Sequence, residues 1–593
     1  MRTFRMIVVS FALVCALFSS PAPSVAAGPG KACVVMTPAG PVLEINSKPT
    51  APAILQTGSM DDLKPGQVEV GLAGKHGLRI VSPTVWGIPW FKEGQTPTLK
   101  GTDVARWLDA VVAANPDALL LPRFPVDQPP EWWIKLHPDE MGLFHDGTRR
   151  LASAHSLIWR RDAARQIGHF VRLLEARYGA HMIGYHVCGQ NTAEWFYEGF
   201  WEDMHGGFEP PAAAGFRRFL KARYANDQAL SRAWGDPKAA LSTATVPGVA
   251  ERMAARAGPF RDPASQRRAL DFDEFRNADL ADAVAAMCKA VKDAAPNRLA
   301  IAFYGYTFEL SGSARGGHLA LGRLLESPYV DGLCGPCSYA DRQSGGAGRF
   351  MGPVDSVLAH GKMWFTEDDT RTDLTPADAV PGRCKDARET HGVLARNFAH
   401  AMAHGAGLWW MDMTGTGWFA REDIWTRNGA LAKAYQASLP GRPRYAPEIA
   451  VVVDERSCLY ANPVAGESGM IALLSEFRSP CYRIGAPLGY YLLDDVLAGR
   501  VPQAKLYIML NAFRLDDAQR RALRERVCNG GRTVVWMYAP GLVGEDALRE
   551  AGAKQPICGT GWFGVGVGFY PELYSNVPGM DYIDRHHYYG GGP

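Results

Sequence analysis

Two short stretches set carboxylates beside aromatic side chains at places where chemistry could be done. One is Cys188-Gly189-Gln190-Asn191-Thr192-Ala193-Glu194-Trp195-Phe196-Tyr197, and the other is Glu367-Asp368-Asp369-Thr370-Arg371. Paired carboxyl groups can cleave an acetal: one protonates the leaving oxygen while the other, ionised, attacks the carbon. In the double-displacement form of that reaction the two groups stand about 5–5.5 Å apart. Aromatic neighbours offer flat faces to a sugar ring, and by desolvation they raise the pKa of the acid. Taken singly, Glu194 and Glu367 also fit the plainer role of structural ion-pair partner. A strand register shifted by one residue would put Asp368 or Asp369 in the place of Glu367.

The elements that must position these groups alternate along the chain. Apolar runs at Ala53–Leu55, Leu78–Ser82, Ala118–Leu121, Met182–Val187, Leu299–Phe303, Val330–Cys334, Met363–Thr366 and Gly407–Met411 read as strands. Amphipathic stretches lie between them, among them Thr102–Ala114, Arg160–Tyr178, Ala214–Tyr224, Phe272–Ala294 and Arg388–His404. Near-continuous apolar strands alternating with helices predict an α/β fold with a parallel sheet. Eight such strands over residues 28–441 fit a (β/α)8 TIM barrel with long βα loops, and a doubly wound open sheet is the alternative. In a barrel the chemistry sits at the C-terminal ends of the strands, where Glu194 follows the fourth and Glu367 the seventh.

After Arg442-Pro443 the rhythm restarts. Strands at Ile449–Val453, Lys505–Leu510 and Thr533–Tyr538, with helices around Gly489–Ala498 and Asp516–Cys528, predict a smaller flavodoxin-like α/β domain over residues 442–593. It ends in a loop-rich tail, Gly559 to Pro593.

Composition excludes several classes. The 593 residues carry 63 Lys+Arg against 61 Asp+Glu, so no basic excess points to nucleic acid. Sixteen Trp, 21 Tyr and 25 Phe suit a binder of flat, polyhydroxylated ligands. Arg2 and Arg5, the apolar run Met6–Phe18 and the small residues around Ser24–Ala27 make the three-part pattern of a signal peptide over residues 1–27. A secreted or periplasmic protein without stable membrane insertion is the expectation, since no later apolar run is long enough to span a bilayer. Cys334-Gly335-Pro336-Cys337 spells a CxxC, but no helical pattern follows it, so packing is expected of it and not redox work. Neither zinc-type ligand spacing nor a Gly-rich phosphate loop occurs at a strand-to-helix turn, so neither a metal nor another cofactor is expected.

The stretch from residue 118 to 236 resembles the β-galactosidases of glycoside hydrolase family 42. The likeness rests on Gln128-Pro129-Pro130-Glu131-Trp132-Trp133, on His137-Pro138-Asp139-Glu140 with Asp146-Gly147 behind it, and on Arg177-Tyr178-Gly179 and Ile183-Gly184-Tyr185-His186-Val187. It continues through the run Phe216–Tyr224 into Ala229-Leu230-Ser231-Arg232-Ala233-Trp234-Gly235, and Ala403-His404-Gly405-Ala406-Gly407 fits as well. The resemblance implies a retaining exo-acting β-glycosidase with an oligosaccharide or glycoside substrate, Glu194 as acid/base and Glu367 as nucleophile. It also implies that the second domain resembles a trimerisation domain and the chain a homotrimer. One departure stands out: the family places Asn directly before its acid/base Glu, where an ungapped reading here puts Gly189-Gln190. Glu194 then serves if the loop folds back, with Gln190 or Asn191 holding the sugar hydroxyl. A barrel that binds carbohydrate with altered or lost catalysis, and a β-glycosidase for mannose, fucose or arabinose, are the alternatives.

Further substrate-binding candidates follow from position. Trp195 gives Glu194 a sugar-binding setting, Tyr339 after the sixth strand could hydrogen-bond the nucleophile, and Trp410 on the eighth could floor the subsite. Arg123 and Arg371 could fix hydroxyls or the nucleophile, or form plain ion pairs. His186 reads as a packed strand residue.

Overall fold

The apolar runs form strands because each is buried on both faces, and the computed structural model describes them within residues 30–58, 62–202, 204–254, 260–309, 314–463 and 470–548. The expected signal peptide and the loop-rich tail lie outside these residues. A three-stranded antiparallel sheet comes first, from β1 Ala32–Thr37, β2 Gly40–Ile45 and β3 Lys48–Pro49. No strand is expected here from the sequence, and the structure adds this sheet ahead of the barrel. The Ala32 N–H donates to Asn297 O at 2.9 Å, which ties this sheet to the chain just before a barrel strand.

The barrel strands are β4 Ala53–Thr57, β5 Ile80–Pro83, β6 Leu119–Leu120 and β7 Arg123–Pro125. A hairpin of β8 Met141–Leu143 and β9 Arg149–Ala152 intervenes. Then follow β10 Gly184–Cys188, β11 Leu299–Phe303, β12 Gly332–Pro336, β13 Met363–Asp368 and β14 Gly407–Asp412. The sheet order β6-β5-β4-β14-β13-β12-β11-β10-β7 is parallel throughout. β6 and β7 are halves of the third barrel strand, interrupted at Leu121-Pro122. The ladder runs through this break: Leu121 N–H donates to Val81 O, His186 N–H donates to Pro122 O, and bridges pair Thr84 with Arg123 and Leu120 with Met182. The sheet therefore closes on itself as an eight-position barrel.

Helix starts follow local chemistry. Thr102 caps Asp103–Ala114, Ser156 caps Leu157–Tyr178 and Asp386 caps Ala387–His404, each side-chain oxygen accepting from a first-turn N–H. The longest helix, Pro263–Ala294, begins with a proline behind the Asp262 cap, a residue that fits the first helical turn.

The second unit has four parallel strands, β15 Ile449–Val453, β16 Leu488–Leu492, β17 Leu506–Met509 and β18 Thr533–Trp536, in the order β16-β15-β17-β18. The stretch Gly489–Ala498, expected as one helix, divides. Residues up to Leu492 form the fully buried strand β16, and only Leu493–Ala498 is helical. Adjacent tyrosines at 490 and 491, each with a buried face to fill, favour the strand. Buried polar contacts join this unit to the barrel. The Arg478 guanidinium meets Glu309 at 3.0 Å, Glu455 accepts from the N–H groups of Leu321 and Gly322, and the Tyr490 N–H donates to Asp355. Among the described residues no helix is long and apolar enough to cross a membrane.

Candidate active site

Strand alternation decides which of three consecutive carboxylates reaches the barrel interior. In β13, Phe365 and Glu367 point inward, and the strand pairs Glu367 with Trp409 of β14. Glu367 Oε2 accepts from the Arg123 guanidinium at 3.3 Å and from the Trp409 indole N–H at 3.2 Å. Phe365 stacks on Trp409, with ring centroids 5.9 Å apart. Asp368 points outward, accepting from Thr370 Oγ1 at 2.5 Å and Asn397 Nδ2 at 3.0 Å. Asp369 is locked between Arg342 at 2.5 Å and Arg371 at 2.6 Å, and these two cations hold its carboxyl below the usual range against the effect of burial. Glu367 alone of the three is available at the barrel axis.

The fourth strand presents its carboxylate differently. After β10 the chain turns through Gln190, Thr192, Ala193 and Trp195, all at left-handed φ of 58°, 55°, 59° and 63°. The loop is closed by a bridge between Asn191 and Phe196 and by the Trp195 N–H donating to Gly189 O at 2.7 Å. The Trp195 ring lies beneath it, its indole N–H on Val187 O at 3.0 Å, so close to Gly189 that a Cβ there would come within 3.0 Å of the ring. This fold-back brings Glu194 to the barrel mouth. Its Oε1 accepts from the Tyr306 hydroxyl at 3.0 Å, its Oε2 from the Thr192 hydroxyl at 2.7 Å, and its backbone carbonyl lies 3.0 Å from His318 Nε2.

The two carboxyls share one electrostatic environment. Burial raises the pKa of Glu367, with Arg123 pulling against the rise and Glu194 and Asp369 adding to it. Burial also raises Glu194, opposed by Arg123, Thr192 and Tyr306. Mutually repelling groups of this kind hold a proton between them. The hydrogen-bond partners place it. Arg123 and the Trp409 indole can only donate, which suits an ionised Glu367, whereas the hydroxyls beside Glu194 can also accept and so tolerate a protonated carboxyl. Tyr306 itself, raised well above its usual range by burial, stays a donor. The arrangement can therefore supply a nucleophilic carboxylate and a neutral carboxylic acid at once.

The other sequence candidates divide. Arg123 is buried against Glu367, 4.6 Å over the Phe303 ring. Arg371 spends its N–H groups on Asp369 and on the Val380 carbonyl. Tyr339 lies under Arg342, the guanidinium 4.6 Å from its ring, and makes no hydrogen bond to Glu367. Gln190 donates its backbone N–H to Asp127 and its side-chain amide to Ala152 O at 3.1 Å. Asn191, half-buried, keeps its side-chain amide free of hydrogen bonds within the described residues. Two expectations are corrected. Trp410 points out of the barrel, stacked on Phe398 at 5.3 Å and edge-on to Trp425, and its neighbour Trp409 is the one whose indole reaches Glu367. Trp195 is fully buried under its loop and presents no face to a ligand. His186 is packed between Phe303 and Trp409. Cys334 and Cys337 are free buried thiols that burial holds far above their usual pKa, the reverse of a reactive CxxC.

Sequence reasoning missed Trp409, Tyr306 and Asp127. The Trp409-Trp410 pair needed strand parity, and Tyr306 stands three residues beyond β11, a strand end that carries no carboxylate to mark it. Asp127, two residues past β7, is pushed by burial up to about 7. Among the described residues no group of three or more His, Cys, Asp and Glu side chains is placed to hold a metal ion.

Comparison with known proteins agrees with this architecture. The family profile for glycoside hydrolase family 42, described as β-galactosidase, matches residues 105–315. No curated protein matches the sequence. Among solved structures, the β-galactosidase of Bacillus circulans sp. alkalophilus superposes with a TM-score of 0.60 at 14% identity, covering 84% of this chain and 72% of that one. The enzyme of the psychrophilic Marinomonas ef1 gives 0.59 at 14% identity, covering 85% and 78%. A family 42 β-galactosidase from G. stearothermophilus gives 0.58 at 15% identity, covering 85% and 74%. At such identities the superpositions establish a shared fold.

Proposed function

From the premise that this chain is a glycoside hydrolase resembling the family 42 β-galactosidases, we propose that it is a retaining, exo-acting β-glycosidase that removes terminal β-linked sugars, galactose foremost, from oligosaccharides. The observation that carries the reading is the difference in partners: Glu367 is held by donors alone, and Glu194 by hydroxyls. Glu194 gives its proton to the glycosidic oxygen as Glu367 attacks the anomeric carbon, so the aglycone leaves as an alcohol and a glycosyl ester forms on Glu367. Water then enters, Glu194 takes its proton, and the ester opens with the original anomeric configuration restored. Arg123 and the Trp409 indole hold the nucleophile ionised and aimed, and Asn191 offers a free amide to a sugar hydroxyl.

Two further parts of the reading come from the N-terminal pattern and the resemblance: export with cleavage near residue 27, and assembly as a homotrimer. Sedimentation of the full chain at monomer mass would defeat the second. For the activity itself, a panel of nitrophenyl β-glycosides should give turnover, best with the galactoside, and proton NMR of early product should show the β-anomer. First appearance of the α-anomer, or no turnover on any sugar, would overturn the proposal.

A further inference from the structure

Behind the strand-four loop lies a separate cavity of about 30 Å³, whose walls include Ser153, His155, Gln190, Tyr197 and Arg276. Arg276, on the helix Pro263–Ala294, is 6% exposed, yet its guanidinium makes no hydrogen bond or ion pair with any described residue. Its Cζ stands 4.0 Å over the Tyr197 ring and 5.8 Å from that of Phe272. Arg252 lies against Phe272 too, at 4.2 Å; it is 4% exposed and donates only to the carbonyls of Pro247 and Gly206. Two carboxylates also border the cavity, and neither forms an ion pair with Arg276. Glu209 accepts from the Ser153 hydroxyl and the Leu143 N–H, and Glu198 pairs with Arg150. His155 gives Nδ1 to Asp279 at 2.7 Å and leaves Nε2 without a partner.

Burying a guanidinium with no carboxylate in direct contact is costly, and aromatic faces offset only part of that cost. The natural complement of an unpaired arginine fork is an oxyanion held by parallel N–H bonds. A volume of this size admits a carboxylate but no sugar ring, since a single water needs about 10–15 Å³ by the same measure. Gln190 and Tyr197 flank Glu194 in the chain, so whatever fills the cavity touches the loop that carries that carboxyl.

We propose that this cavity is a carboxylate-binding subsite centred on Arg276, filled by the acidic group of a uronic-acid residue in the substrate or by a free carboxylate ion. The site goes beyond the activity proposed above: it would make the protein a reader of acidic oligosaccharides.

Calorimetric titration of the full-length protein with galacturonate, acetate and galactose tests this, and because it reads binding without turnover, failure of the glycosidase reading leaves it intact. Galacturonate should bind, Arg276→Met should weaken it at least tenfold, and Arg276→Lys should recover part of the loss. Galacturonate binding tighter than acetate identifies the acidic sugar as occupant, and equal binding identifies the free ion. Absence of binding by both acids, or an unchanged galacturonate affinity in Arg276→Met, overturns the proposal. If the Met variant does not fold, the wild-type melting temperature decides: it should rise in acetate over chloride at equal ionic strength, and no rise overturns the proposal as well.

Discussion

Glu367 and Glu194 face the same space but are held in opposite ways. Glu367 sits inside a strand paired on both sides, where the backbone ladder fixes which face its side chain takes. Glu194 sits on a loop that carries four non-glycine residues in left-handed conformation within six positions. Each such residue costs of order 1–3 kcal/mol and persists only where the surroundings over-determine it. Here the buried Trp195 ring, the Asn191–Phe196 bridge and the His318 contact to the Glu194 carbonyl do so. The contrast teaches that one carboxyl is positioned by topology and the other by side-chain packing.

Replacing each carboxyl breaks or sharpens that contrast. Glu367→Gln should abolish formation of the glycosyl ester on every substrate, a loss on the order of 10⁴-fold or more in kcat/KM for aryl glycosides, with added azide restoring turnover. Glu194→Gln should cost about 10²–10⁴-fold on poor leaving groups and little in the glycosylation step for dinitrophenyl glycosides, which need no proton. Equal losses on both substrate types would take the acid role from Glu194.

Smaller changes probe the partners. The Tyr306 hydroxyl bonds to the ionised form of Glu194 and so lowers its pKa. Tyr306→Phe should therefore raise that pKa and, since the proposed mechanism uses Glu194 protonated in its first step, carry the basic limb of the pH–rate profile to higher pH, with a rate loss of roughly tenfold for one hydrogen bond. A basic limb that stays in place would detach Tyr306 from the acid. The smallest effect on activity should come from Trp410→Phe. That change trims a buried ring among Phe398 and Trp425 and should lower stability by about 1–2 kcal/mol in denaturant melts while kcat/KM stays within a few-fold.

The same contrast explains what the sequence made legible. Periodicity located all eight barrel positions to within a few residues, because strands buried on both faces are near-continuous apolar runs. Glu367 was legible as a carboxylate at such a run's end, although only the strand's parity separates it from Asp368 and separates Trp409 from Trp410. The loop after β10 was not legible in this way. Left-handed φ at Gln190, Thr192, Ala193 and Trp195 has no signature in residue type, since none is glycine, asparagine or aspartate. Trp195 looked like a sugar platform and is instead the wedge beneath the loop. Gly489–Leu492 was misread because a short buried strand and a buried helical turn share one composition.

The seam between the barrel and the second unit has a consequence for how the molecule comes apart. Glu309 of the barrel is fully buried and meets Arg478 of the second unit at 3.0 Å, with Arg349 3.9 Å away. Separating the units would take Arg478 from that carboxylate, and losing one partner of a buried pair costs about 3–5 kcal/mol. It would also uncover Glu455 and the N–H groups of Leu321 and Gly322 that it caps. The two sheets are thus one thermal unit, and a scanning calorimeter should record a single endotherm for them. Cutting the chain near residue 442 would then return a wounded barrel, not a smaller enzyme.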